Sequence, residues 1–144
     1  MRFLRVSAPS SLMTMTTVTP RSLVDASLAG DTTLLKQLLN ENPRLDAADA
    51  DDVTPLGAAA SVGEVEVMKL LIHSGADPNF REEAGTIPLG LAALFGQKEA
   101  ILFLLDNGAD PNLEIDAAGN NALGAAALVG HTEIATLLRA HMDK

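Results

Sequence analysis

A period of 33 residues runs through this chain and restricts its fold more than any other feature. Gly75–Asn79, Gly-Ala-Asp-Pro-Asn, returns at Gly108–Asn112, and Thr54–Ala60 returns in altered form at Ile87–Ala93. Leu56 and Leu89 are followed by Leu123, so one residue is inserted between Asn112 and Leu123, and one step back from Leu56 lies Leu23. Gly30, Gly63, Gly96 and Gly130 keep the same register. Short tandem units cannot bury an apolar face alone, so they stack on their neighbours in a solenoid.

Each unit reads locally as a pair of helices. Leu56–Val62, Leu89–Phe95 and Leu123–Val129 are Ala-rich, helical by propensity and stopped by glycine. Val65–His73 and Lys98–Asp106 follow, with Val67, Leu70, Leu71 and Ile101, Leu104, Leu105 at helical spacing. Asp-Pro-Asn then opens a polar connection that cannot continue the helix. Pro55 suits a first helical position with Thr54 as its cap. Helix starts are predicted near Pro20, Pro55, Pro88 and Asn121, with Leu71, Leu104 and Leu138 buried. With no Trp or Tyr and only four Phe, the core is built from Leu, Ala, Val and Ile, which suits closely packed helices.

Charge and composition remove several functions. Ten Lys and Arg against 19 Asp and Glu give −9. Residues 1–21 carry three Arg and no acid, leaving −12 on residues 22–144 (7 bases against 19 acids). So acidic a body argues against nucleic acid and anionic membranes, whose binding draws on Lys and Arg. The absence of Cys excludes disulfides and thiolate chemistry. No apolar run approaches the ~20 residues of a membrane span.

Thr-Pro-Leu-Gly-Ala-Ala-Ala at Thr54–Ala60, a glycine at Gly63, and Val67–Asn79 together resemble the ankyrin repeat. The resemblance covers about residues 20–144. It implies an all-α solenoid of four stacked helix–turn–helix units with projecting β-hairpin loops, at about 19–52, 53–85, 86–119 and 120–144. The family usually has His after Thr-Pro-Leu, where this chain has Gly57, Gly90 and Gly124. A glycine inside a helix costs roughly 1 kcal/mol against alanine, so its recurrence points to close helix approach.

The ends are distinguished by polarity. Asp25 stands in the place of Ala58, Leu91 and Ala125, and Gln37 in that of Leu70, Phe103 and Leu137. Arg139 replaces Ile72 and Leu105. This is the pattern of polar terminal repeats, and the stack is expected to be complete with four units. Residues 1–18 fall outside the repeat and are expected to form a disordered tail, with no signal-like apolar stretch.

Candidate chemistry is sparse. His73, His131 and His141 lie in separate units, His131 at a helix start where the family often carries a capping and packing His. No catalytic or phosphate-binding motif is present. Asp46–Asp52 places four carboxylates within seven residues, but lacks the glycine and distant Glu of an EF-hand loop. It reads as a solvated acidic hairpin. The alternative is a small-ligand, Ca²⁺-binding or enzymatic protein that uses this cluster. Glu82–Glu83 and Glu114/Asp116 extend the acidic character along the same edge.

The resemblance assigns a concave groove to the two residues before each helix-stopping glycine. These are Leu28 and Ala29, Ser61 and Val62, Leu94 and Phe95, Leu128 and Val129. Beside them, the hairpin residues Ala50, Asp51, Val53, Glu83, Ala84, Thr86, Ala117, Ala118 and Asn120 are expected to form the rim. A row of Leu, Val and Phe on a surface marks an interaction site. The chain is therefore expected to be a non-catalytic, monomeric, cytoplasmic module without cofactor. Its expected partner is another protein with a basic and apolar surface.

Overall fold

The structure, a computed structural model, describes residues 18–49, 53–82, 86–114 and 120–142. Capping decides where its helices begin. The Thr19 hydroxyl accepts from the Ser22 amide at 3.1 Å and opens α1 (Pro20–Ala29). The Thr54 hydroxyl accepts from the Gly57 amide at 3.1 Å and opens α3 (Pro55–Val62). Ile87 has no oxygen to offer, so α5 (Pro88–Leu94) starts on its proline alone. Asn121 is the cap of α7 (Ala122–Leu128), accepting from the Gly124 amide at 3.0 Å.

Glycine ends these helices by entering the left-handed region, with φ of 76° at Gly63 and 72° at Gly96. The second helices follow at once: α2 (Thr32–Leu39), α4 (Val65–His73), α6 (Lys98–Asp106) and α8 (Thr132–Met142). The residue after each glycine packs back over the previous unit. A Cβ on Gly30 would meet the Glu64 carboxyl, one on Gly63 the Gln97 amide, and one on Gly96 the His131 ring. His131 thus does the packing expected of it, and Gln97 also donates to the Ser61 carbonyl at 3.1 Å.

The first helices α1, α3, α5 and α7 stack in one row, while α2, α4 and α6 pack side by side in a second. The core lies between the rows. Leu71, Leu104 and Leu138 are fully buried, among alanines such as Ala59, Ala92 and Ala126 that let helices approach closely. Val18, counted with the tail in the sequence, packs partly buried against this core. Gln37 and Arg139 are exposed.

Among the described residues no strand forms. The first two connections are each closed by one backbone bond, Asp49 to Val53 (2.9 Å) and Glu82 to Thr86 (2.8 Å). Side chains of the Asp-Pro-Asn segments then tie repeat to repeat. Asn79 accepts from the Asp110 amide at 2.7 Å and donates to the Gly108 carbonyl at 2.9 Å. Asp46, one period earlier, accepts from the Asp77 amide at 3.4 Å.

Candidate binding groove

The groove is built on a pair of positions that changes chemistry from unit to unit. In the first unit Arg21 faces Asp49, a guanidinium nitrogen 3.6 Å from a carboxylate whose side chain is 2% exposed. In the second, Thr54 and Glu82 occupy the same two places. The Glu82 carboxylate accepts from the Thr54 amide at 2.7 Å and the Thr54 hydroxyl at 2.9 Å. Its other oxygen accepts from the Thr86 hydroxyl. Residue 82 is only 4% exposed, so it is an inward-facing tie and not a rim charge as its acidic surroundings suggested.

Gly57 makes room for this tie. A Cβ there would stand 2.9 Å from a Glu82 oxygen. The recurrent glycine is therefore explained in this unit by a side chain reaching over from the connection together with the close approach of α5, whose Leu91 would lie 3.1 Å from the same Cβ.

Beside the tie lies a cleft of about 450 Å³, formed by α1, α3, α5 and the first two connections. Its apolar wall includes Val24, Leu28, Val53, Leu91 and Phe95. Arg21, Asp25, Asp49 and Glu82 supply its charge. Asp25, which the sequence suggested as the polar outer side of a terminal unit, lines this cleft together with Ala58 and Leu91 at the same register position. Arg21 and Asp25 pair at 3.2 Å, one turn apart on α1.

Of the residues singled out in the sequence for the groove and its rim, Leu28, Val53, Ser61, Thr86 and Phe95 line the cleft. Val62, Leu94, Leu128 and Val129 do not, but are exposed at the ends of first helices. Leu128 is 84% and Phe95 55% exposed, whereas most of Leu123 and its neighbours in the stack are covered. Asn120 is exposed outside the cleft. Ala50, Asp51, Glu83, Ala84, Ala117 and Ala118 lie outside the described residues.

The sequence reading missed Val24, Asp25, Asp49, Glu82 and Leu91 as cleft residues. Asp49 and Glu82 carried a usable signal, since they fall one period apart.

Among the described residues no three His, Asp or Glu side chains gather in a way that could hold a metal ion. Asp46 and Asp49 instead accept backbone hydrogen bonds, from Asp77 and Val53. His73 is exposed, and a His141 ring nitrogen lies 3.0 Å from the Leu137 carbonyl on its own helix. No helix among the described residues is long and apolar enough to cross a membrane.

The family model for ankyrin repeats (3 copies) matches residues 23–115 and 59–144. The chain belongs to the ankyrin repeat family. No curated protein matched it. Ankyrin repeats are generally protein–protein interaction modules and typically non-catalytic. In this ankyrin stack the departure at Gly57 and the buried Glu82 are one feature, because the carboxylate takes space that a side chain on residue 57 would need. The same feature floors the cleft, since Gly57 and Ala58 present little bulk where α3 faces it.

Proposed function

We propose that this ankyrin protein is a non-catalytic module that binds another protein along the ends of its first helices. The supporting observation is where its large apolar side chains meet solvent. Leu28, Val62, Leu94, Phe95, Leu128 and Val129 are each at least 38% exposed, and all fall among the two residues before the helix-stopping glycines. Leaving a row of such side chains in water is unfavourable unless a partner covers them. The acidic body, −12 over residues 22–144 (7 bases against 19 acids), favours a partner with basic as well as apolar surface.

The test is a partner isolated by cross-linking and then titrated, as a purified protein, against variants. Phe95→Ala and Leu128→Asp are expected to weaken binding about 30-fold or more, the loss typical of a truncated interface anchor. Leu34→Asp and Leu102→Asp, exposed on second helices, are the controls and should leave affinity unchanged. Equal loss in all four variants, or none in the first two, overturns the reading.

A further inference from the structure

We propose that the cleft between the first three units receives a single Lys or Arg side chain of the partner. This rests on the reading of the first-helix row as a partner surface and makes it specific. The cleft's volume of about 450 Å³ falls within the ~300–1,000 Å³ range of ligand pockets. It is more than a hollow between side chains, because its chemistry has two parts.

Val24, Leu28, Val53 and Leu91 form a wall suited to a methylene stem. Phe95 adds an aromatic group, which favours a cation over a neutral tip. Asp25, Asp49 and Glu82 contribute three carboxylates against the one guanidinium of Arg21. Two of the three are withdrawn from water, where their field is less screened.

The hydrogen bonds at Glu82 do not cancel its charge. Glu82 accepts from hydroxyls and an amide, all neutral donors. Arg21, a cation on an apolar stem placed against Asp25 and Asp49, is the chain's own example of the group this wall accommodates. An anionic occupant would meet an excess of like charge, and a neutral one would leave three carboxylates sharing the single guanidinium of Arg21.

The probes are n-butylguanidinium and n-butylammonium, which reproduce the ends of Arg and Lys, with butyrate and n-butanol as controls. Each is titrated into the ¹⁵N-labelled full chain at physiological salt and followed by amide chemical shifts. Ligands this small bind in the millimolar range at best. Both cations are expected to give saturable shifts at Gly57, Ser61, Thr86 and Phe95, and butyrate and butanol none that saturate.

Arg21→Ala, which removes the internal cation, should tighten n-butylguanidinium several-fold. Asp25→Lys should weaken it several-fold. Lys69→Ala, the same charge change as Arg21→Ala but away from the cleft, should do neither. Absence of saturable shifts, equal response to butyrate or butanol, or indifference to Asp25→Lys overturns the proposal. So does a shift pattern at these four residues that depends on protein concentration or vanishes when residues 1–17 are deleted. Those results would assign the cleft to a second copy or to the chain's own leading segment.

The two readings fail separately. If the probes do not bind while Phe95→Ala still weakens the partner, the cation pocket is wrong and the interaction surface stands. If the partner ignores Phe95→Ala and Leu128→Asp, the surface is wrong and the pocket assignment falls with it.

Discussion

A Cβ on Gly57 would stand 2.9 Å from a carboxylate oxygen of Glu82 and 3.1 Å from the hydroxyl oxygen of Thr54. Gly57→Ala therefore sets two effects against each other. Alanine improves helix propensity by up to about 1 kcal/mol. It also displaces a carboxylate whose hydrogen bonds are each worth about 1.5–3 kcal/mol, so net destabilisation by about 1–2 kcal/mol is expected. Gly124 gives the contrast. Its Cβ would approach only the side chain of exposed Asn120, at 3.3 Å, and no buried carboxylate. Gly124→Ala should accordingly gain up to about 1 kcal/mol. Urea denaturation of both variants measures the difference, and equal effects would contradict the role given to Glu82.

Removing the acceptor probes the same tie from the other side. Glu82→Ala leaves the Thr54 amide and hydroxyl without their partner in a residue that is 4% exposed. A buried donor left unsatisfied costs about 1–3 kcal/mol, and Glu82→Gln, which keeps one oxygen, should lose less. Hydrogen exchange at the Thr54 amide should accelerate in Glu82→Ala beyond what the change in global stability explains. Unchanged exchange would place the amide's protection elsewhere.

The repeat register was legible because it rests on local rules repeated in step. Leu56, Leu89 and Leu123 mark one face, glycines mark the stops, and the boundaries Val65–His73 and Lys98–Asp106 agree with the observed helices. Glu82 was not legible as a buried residue. Its neighbours are charged and its partner Thr54 is 28 residues away, so local patterning reads it as solvent-facing. The signal lay in comparing units: Arg21 with Asp49 and Thr54 with Glu82 form an ionic and a polar pair at corresponding places. Paired positions that change character together report proximity. Asp25 misled for a related reason. A polar residue at an otherwise apolar place was read as an end of the stack, whereas its position faces the cleft.

Burial separates two leucines that the sequence assigned to the core and to the groove. Leu104 is fully buried in α6, and Leu104→Ala should cost about 2–5 kcal/mol through the cavity it leaves. Leu128 is 84% exposed at the end of α7, and Leu128→Ala should change stability by no more than about 0.5 kcal/mol. Because α6 sits in an internal unit, the Leu104 loss should reach the whole stack. Thermal melts that show similar shifts for both would break the assignment of core and groove.

Lys98 and Glu133 join the third and fourth units by an exposed ion pair of 2.8 Å. The hydrogen bond from Lys98, and then its charge, lowers the Glu133 pKa below the ordinary carboxylate value. The same pair raises the Lys98 pKa. The Glu133 contribution is therefore present above its unfolded pKa and lost as pH falls through its lowered folded pKa. The Lys98 contribution is full below its unfolded pKa and lost as pH rises through its raised folded pKa. NMR titration of the Glu133 carboxyl should show its midpoint return upward in Lys98→Ala. A midpoint indifferent to that substitution would mean the pair does not persist in solution.

The last test exchanges two residues one period apart. Asn79 uses both ends of its amide, accepting from Asp110 and donating to the Gly108 carbonyl. Asp46 accepts from Asp77 in the corresponding place, but as a carboxylate it has no donor for the Gly75 carbonyl, one period before Gly108. Asp46→Asn supplies the missing donor and removes the first charge of the acidic run Asp46–Asp52. It should stabilise the first interface between units by about 0.5–1.5 kcal/mol, the usual net value of a hydrogen bond. Asn79→Asp deletes the donor and should cost about the same at the next interface. Removing a negative charge from so acidic a chain and adding one would by themselves give the same opposite signs, so the informative outcome is the local one at the amides beside Gly75 and Gly108. Hydrogen exchange provides the local reading. Protection of the Asp77 amide should rise in Asp46→Asn, whose new side chain is held at both ends. If both substitutions destabilise, the equivalence of these two positions in the ladder is wrong.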